Sequence, residues 1–169
     1  ASYAMVKLDI WENKLSIISG ARVEQTNTNF SGLFGRSFES EGQVFISAVD
    51  TVGSNQYTEL LPMFQMKFKA TDWMDIRAAS TRTLARPNFF DLIPWQEIDD
   101  INQIVQRGNP DLQHTVAQNY DLQLSFYNKY GLLTVGAFAK NMQNVDYQRV
   151  SRDVDVNSTT RGYQLFTLE

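Results

Sequence analysis

The sequence predicts an all-β chain: an antiparallel up-and-down meander of about seven strands, a segment of a transmembrane β-barrel with tight periplasmic turns and long extracellular loops. Three observations predict it. Apolar and polar residues alternate with period two in run after run. The links between runs are short, long, short, long, which is the rhythm of such a barrel. Aromatic residues gather beside the short links, where a girdle at the membrane–water interface belongs.

The first run sets Ala4, Val6, Leu8 and Ile10 against Tyr3, Met5, Lys7 and Asp9. The second, 15–26, alternates less cleanly and leaves Ile18 on its polar side. Phe64, Met66 and Phe68 then oppose Gln65, Lys67 and Lys69, and the run 74–86 places Ala79 among polar residues. Tyr120, Leu122, Leu124 and Phe126 oppose Asp121, Gln123, Ser125 and Tyr127 in the clearest run. Leu133, Val135, Ala137 and Ala139 oppose Thr134, Gly136, Phe138 and Lys140 in the sixth, and 162–168 is a short seventh.

Glu12-Asn13-Lys14, Thr71-Asp72-Trp73 and Asn128 to Gly131 are hairpin-length links. Trp11, Trp73, Tyr127 and Tyr130 flank them. The residues 27–57, 87–116 and 145–160 read as long connections. Within the second of these, Ile98, Ile101, Ile104 and Val105 recur at helical spacing over 96–107, and Gly108-Asn109-Pro110 is a stop signal, so a short surface helix is expected.

Composition excludes several classes. With 43% hydrophobic and 12% aromatic residues, the 169-residue chain has enough apolar material to fold. A net charge of −4 without a Lys/Arg cluster speaks against nucleic acid as a partner. Cysteine is absent, which removes disulfides and thiolate chemistry. No stretch approaches the ~18 consecutive apolar residues of a membrane helix. Mean hydropathy of −0.34 would suggest a soluble protein, but alternating barrel strands give a weak hydropathy signal. Residues 1–6 lack the pattern of a signal peptide. They read as mid-strand, as do the last residues, so both ends look cut.

Chemistry-bearing clusters are sparse. His114 is the single histidine and gathers no metal ligands at useful spacing, so neither a metal site nor a Ser–His arrangement is expected. The carboxylate groups Asp72/Asp75, Glu97/Asp99/Asp100 and Asp153/Asp155 read as solvated loop charge rather than hydrolytic pairs. Asp153-Val154-Asp155-Val156-Asn157 hints at calcium spacing without the glycine and terminal Glu of an EF-hand loop. Gly32-Leu33-Phe34-Gly35 is too short for a phosphate loop and reads as ordinary loop flexibility. No catalytic residues, metal or cofactor are assigned.

Three segments resemble TonB-dependent receptors, the outer-membrane transporters. They are Leu61-Pro62-Met63 through Lys69 with the following Arg77 to Phe89; Gly108-Asn109-Pro110-Asp111-Leu112 with Asn119-Tyr120-Asp121-Leu122; and Gly136-Ala137-Phe138-Ala139-Lys140-Asn141-Met142 with Gly162-Tyr163-Gln164-Leu165. In that family they occur in this order in the C-terminal half of the barrel, so residues 1–169 resemble a partial receptor barrel domain. Pro62, which has no ladder donor, should start or bulge a strand, and Pro87 should close the strand ending at Arg86. Arg77, Thr81, Thr83, Gln123, Thr134 and Lys140 should face the lumen, and Phe68, Leu122, Leu124 and Val135 the lipid.

The resemblance implies a non-enzymatic role in nutrient uptake, of a siderophore, oligosaccharide or similar ligand, across the outer membrane of a Gram-negative bacterium. It implies as partners outer-membrane lipid, the plug domain of the same parent chain and, through it, TonB. The family's plug and energy-coupling segment are not in this sequence. Its barrel has about 22 strands, and its members commonly finish on an aromatic residue where this chain reads Thr167-Leu168-Glu169. Asn88, Phe89, Phe90, Trp95 and Arg107, in one long loop, are the candidate ligand contacts. Two other classes fit alternating strands. A lipocalin-like soluble barrel needs ~8 strands around one small ligand, and a self-contained small outer-membrane barrel needs an even strand count.

Overall fold

The computed structural model describes residues 1–40, 43–152 and 162–168. In chain order its elements are β1 (Ser2–Ile10), β2 (Leu15–Ser40), β3 (Gln43–Thr71), β4 (Met74–Ala85), α1 (Phe89–Leu92), β5 (Gln96–Asp99), β6 (Ile104–Arg107), β7 (Thr115–Asn128), β8 (Gly131–Gln143), β9 (Gln148–Arg152) and β10 (Gln164–Leu168). They fall into two compact units. One comprises Ala1–Gln25, Tyr57–Ala85 and Thr115–Asn144; the other comprises Thr26–Gln56, Arg86–His114 and Val145–Glu169.

The first unit is an antiparallel meander of six strands in the hydrogen-bonded order β1-β2-β3-β4-β7-β8. Its register makes the alternation continuous from strand to strand. Phe68, Ile76, Leu124 and Val135 form one cross-strand row, and Met66, Ala78, Leu122 and Ala137 the next. The intervening rows are polar: Lys69, Asp75, Ser125 and Thr134, then Lys67, Arg77, Gln123 and Gly136. Because side chains alternate sides along a strand, these sets occupy opposite faces. Ile18 and Ala79, the two irregular residues, do lie on the polar face, opposite Lys7 and Gln65.

Burial is inverted relative to a soluble sheet. Val6, Leu8, Leu122 and Val135 are each about half exposed, whereas Asp75 and Ser125 are 6% and 2% exposed. A lipocalin-like barrel would bury its apolar face instead. An apolar face turned outward over a satisfied polar one fits a solvent of lipid, where the backbone is paired within the sheet.

The short links are tight turns, as the sequence predicts. Glu12 and Asn13 both have positive φ and Lys14 N–H donates to Trp11 O at 3.0 Å, the handedness that suits a twisted hairpin. At the β7–β8 turn, Asn128 Oδ1 accepts the N–H groups of Tyr130 and Gly131 at 2.8 and 3.0 Å. Trp11, Trp73 and Tyr130 are exposed at these turns, and Trp73 stacks on Phe126 with centroids 6.1 Å apart. Tyr127 differs from the girdle expectation: its hydroxyl donates to Asp75 Oδ2 at 3.2 Å on the polar face. Strand parity decides this, since Tyr127 is out of phase with Phe126.

The long connections are more ordered than expected. Much of 27–57 is strand, because β2 and β3 run to 26 and 29 residues, against ~5–6 for ordinary globular strands. The helix expected over 96–107 is instead the β5–β6 hairpin, with buried Ile98 opposite buried Val105 and Ile101 exposed at the turn. The helical spacing was a coincidence of β-branched residues placed symmetrically about that turn. The helix in this stretch is α1, earlier, capped by Asn88. Pro62 lies within β3, one residue before the first β3–β4 pair, Met63 with Thr81. The seventh run, β10, joins not the meander but β6, in parallel, and β9, antiparallel, in the second unit.

Candidate functional site

The second unit is built around a small core of Phe30, Leu92 and Leu112, with Ile93 packed against it. Local hydrogen bonds fix the backbone around it. Asn88 Oδ1 accepts the Phe90 N–H at 3.2 Å and starts α1. Trp95 N–H donates to Ile93 O and Gly108 N–H to Trp95 O, while Asn109 N–H donates to Asp91 O at 2.8 Å. Asn109 Oδ1 accepts the Asp111 N–H at 3.0 Å, the turn that Asn109-Pro110-Asp111 predicts. Thr51 Oγ1 donates to Pro94 O, tying β3 to this segment.

These constraints leave a cleft of about 480 Å³, lined chiefly by Phe90, Ile93, Trp95, Leu33, Gln96 and Glu97. Phe90 and Trp95 are coupled: their ring centroids lie 5.0 Å apart, and the Trp95 indole N–H donates to Phe90 O at 3.2 Å. A tryptophan whose donor is already satisfied offers its ring face as an apolar surface. Gln96 and Glu97 follow at the start of β5, which pairs in parallel with the stretch of β2 from Phe34 to Ser37.

Of the five candidate contacts, the structure brings together Phe90 and Trp95. Asn88 serves as the α1 cap, Phe89 packs edge-on against core Phe30 at 6.4 Å, and Arg107 is exposed at the end of β6 opposite Gln96. None of these three lines the cleft. Sequence reasoning missed Leu33, Ile93, Gln96 and Glu97. A signal for the first was present in Gly32-Leu33-Phe34-Gly35. Gly32 is in β2, not a loop, and a Cβ there would collide with Ile93 Cγ2. Glycine is required by close packing against the cleft wall rather than for flexibility.

The carboxylates have structural roles. Asp99 accepts the N–H groups of Ile101 and Asn102 and the Asn102 side-chain amide, closing the β5–β6 turn. Those bonds, the Asn102 side chain foremost, hold its carboxyl below the ordinary value. Burial and then the Asp91 carboxylate raise Asp146. Asp75 is ion-paired to Lys67 at 3.1 Å. Asp153 and Asp155, with the calcium-like spacing, lie outside the described residues. His114 is half-buried, and no cluster of metal-ligating side chains occurs among the described residues.

The family model described as the outer membrane protein beta-barrel family matches residues 1–164. No curated protein matches the sequence. Among solved structures, the Serratia marcescens haemophore receptor, in complex with its haemophore and haem, shares 12% identity at a TM-score of 0.67, covering 98% of this chain and 28% of the receptor. The Pseudomonas aeruginosa ferric enterobactin receptor, in complex with enterobactin, gives 12% and 0.56 over 99% of this chain and 30% of its own. An Acinetobacter baumannii siderophore receptor gives 12% and 0.54, covering 98% and 21%. The chain thus spans less than a third of the length of these receptors. Their fold bears out the resemblance to TonB-dependent receptors drawn from Leu61-Pro62-Met63 onward. The chain belongs to the outer membrane protein β-barrel family, and its place is the outer membrane of a Gram-negative bacterium.

Proposed function

We propose that this chain is part of the barrel of a TonB-dependent transporter that takes up a small nutrient, and that the Phe90–Trp95 cleft contributes to ligand capture. The observation that carries the reading is the pairing of two surfaces in one chain. One is a six-stranded wall with its apolar face outward. The other is a concave, largely apolar site with a few polar groups, the ordinary composition of a ligand pocket. The polar face of the wall would surround a plug domain of the same protein, through which TonB acts. The receptors of like fold bind haem with a haemophore, or enterobactin, which supports a nutrient-uptake role rather than catalysis.

The test is deletion of the full-length gene, complemented with wild type or Trp95→Ala, and growth on haem, ferric siderophores or oligosaccharides as sole iron or carbon source. The expected result is one source whose use needs the gene and falls at least several-fold in Trp95→Ala at unchanged barrel abundance. Growth on every source without the gene would remove the transport reading. A neutral Trp95→Ala would remove the cleft from it.

A further inference from the structure

Trp95 is held as a fixed platform. Its indole N–H donates to Phe90 O at 3.2 Å, and the Phe90 ring lies beside it, 39° from parallel. A Cβ at Gly108 would stand 2.9 Å from the indole atoms Cδ1 and Nε1 and would collide with Ile93 O, so glycine at 108 lets the ring seat there. These contacts set the ring's orientation before a ligand arrives, which removes an ordering cost from binding. The polar groups around the platform are neutral or acidic. Ser31, Gln96 and Glu97 bring a hydroxyl, an amide and a carboxylate to the cleft, and no Lys, Arg or His among the described residues lines it.

We propose, building on the ligand-capture reading of this cleft, that its ligand is a neutral saccharide, with one sugar ring stacked on Trp95 and Phe90 and its hydroxyls bonded by Gln96 and Glu97. A pyranose presents C–H groups on its faces and hydroxyls around its rim. The faces match a rigid aromatic ring whose own donor is already satisfied. Each hydroxyl both donates and accepts, which suits Gln96, able to do both, and Glu97, which accepts. Haem propionates and iron–catecholate complexes are anionic, and in a lining that holds Glu97 and no cation they meet like charge. A cationic ligand would answer Glu97 alone, whereas a sugar also uses the Gln96 amide and the Ser31 hydroxyl. The rival is Arg107, exposed on β6 directly opposite Gln96: reaching over the rim of the cleft, it would recruit an anion instead.

In the experiment, the full-length protein in lipid nanodiscs is passed over an array of neutral and uronate-bearing glycans, and its affinity for haemin and ferric enterobactin is measured by calorimetry. The wild type is expected to bind at least one neutral glycan. Trp95→Ala should weaken that binding about tenfold or more, and Trp95→Phe, which keeps a flat ring, by less. Glu97→Lys should move the preference to uronate-bearing glycans. Trp95→Phe, with an unchanged circular dichroism spectrum, separates loss of the platform from loss of the fold. Preference of the wild type for a uronate-bearing glycan, haemin or ferric enterobactin, weakened by Arg107→Gln and by Trp95→Ala, overturns the saccharide and leaves the uptake reading standing. Absence of any binding that depends on Trp95 overturns the saccharide and removes the cleft from ligand capture as well.

Discussion

Leu122→Arg tests the placement of this sheet in lipid, with Gln65→Arg, opposite Ala79, as its control on the opposite face. Leu122 lies in the row Met66–Ala78–Leu122–Ala137 and is about half exposed. It stands six residues from Asn128, where the tight turn begins, which is about 20 Å along the strand at ~3.3 Å per residue. A tilt of ~40° makes that a height of about 15 Å, close to the middle of an apolar band ~25 Å tall. An arginine near the midplane of such a band costs about 2–4 kcal/mol, a factor of roughly 30 to 1,000 in the folding equilibrium at 1.4 kcal/mol per decade. On a water-exposed sheet the same change would fall within about 0.5 kcal/mol. Gln65→Arg, exposed on the polar face, should stay near that lower figure. The assay is reversible denaturant unfolding of the full-length protein in lipid vesicles, followed by tryptophan fluorescence. Equal costs for the two variants would refute the assignment of faces.

Two further predictions concern the polar groups. Asp75, 6% exposed, accepts from Lys67 and from the Tyr127 hydroxyl. Lys67→Met strands that carboxylate with one neutral donor. A fully buried broken pair costs ~3–5 kcal/mol, and because the Lys67 side chain is 40% exposed, about 1–3 kcal/mol is expected. Asp75→Asn should cost less, since Lys67 can turn to water, and the double variant should recover part of the Lys67→Met loss. A double-mutant cycle by denaturant unfolding checks this, and strict additivity would count against the pair. Asp99 in the β5–β6 turn has its folded pKa depressed below the ordinary 3.8. Its contribution is therefore complete above that value and is lost as pH falls through the folded pKa. Hydrogen-exchange protection of the Ile101 and Asn102 amides should drop in that acid window. Asp99→Ala should abolish the drop, and an unchanged acid dependence in that variant would show another group is responsible.

The sequence by itself determined the meander. Strict alternation at 64–69, 120–127 and 133–140 assigns each side chain to a face, because strand geometry has period two whatever the surroundings. Turn chemistry at Asn13 and Asn128 is equally local, set by which residues tolerate positive φ or cap their own backbone. The direction in which the apolar face points was legible through the likeness to outer-membrane receptors. Alternation itself is the same for a barrel filled with water and one filled with ligand.

The tertiary structure decided the rest. Ile98 and Val105 fit a helix face and a hairpin equally well in sequence, and cross-strand burial of the pair settled it. Phe89 and Phe90 are adjacent and chemically identical, yet one packs on Phe30 and the other on Trp95, because α1 turns them to different neighbours. Gly32 and Ile93 are 61 positions apart, and the first must be glycine on account of the second. Lys67 and Arg77 become opposed cations through register alone. Such long-range contacts carry no local signature, since the energy that selects them is packing and pairing across the sheet rather than propensity along the chain.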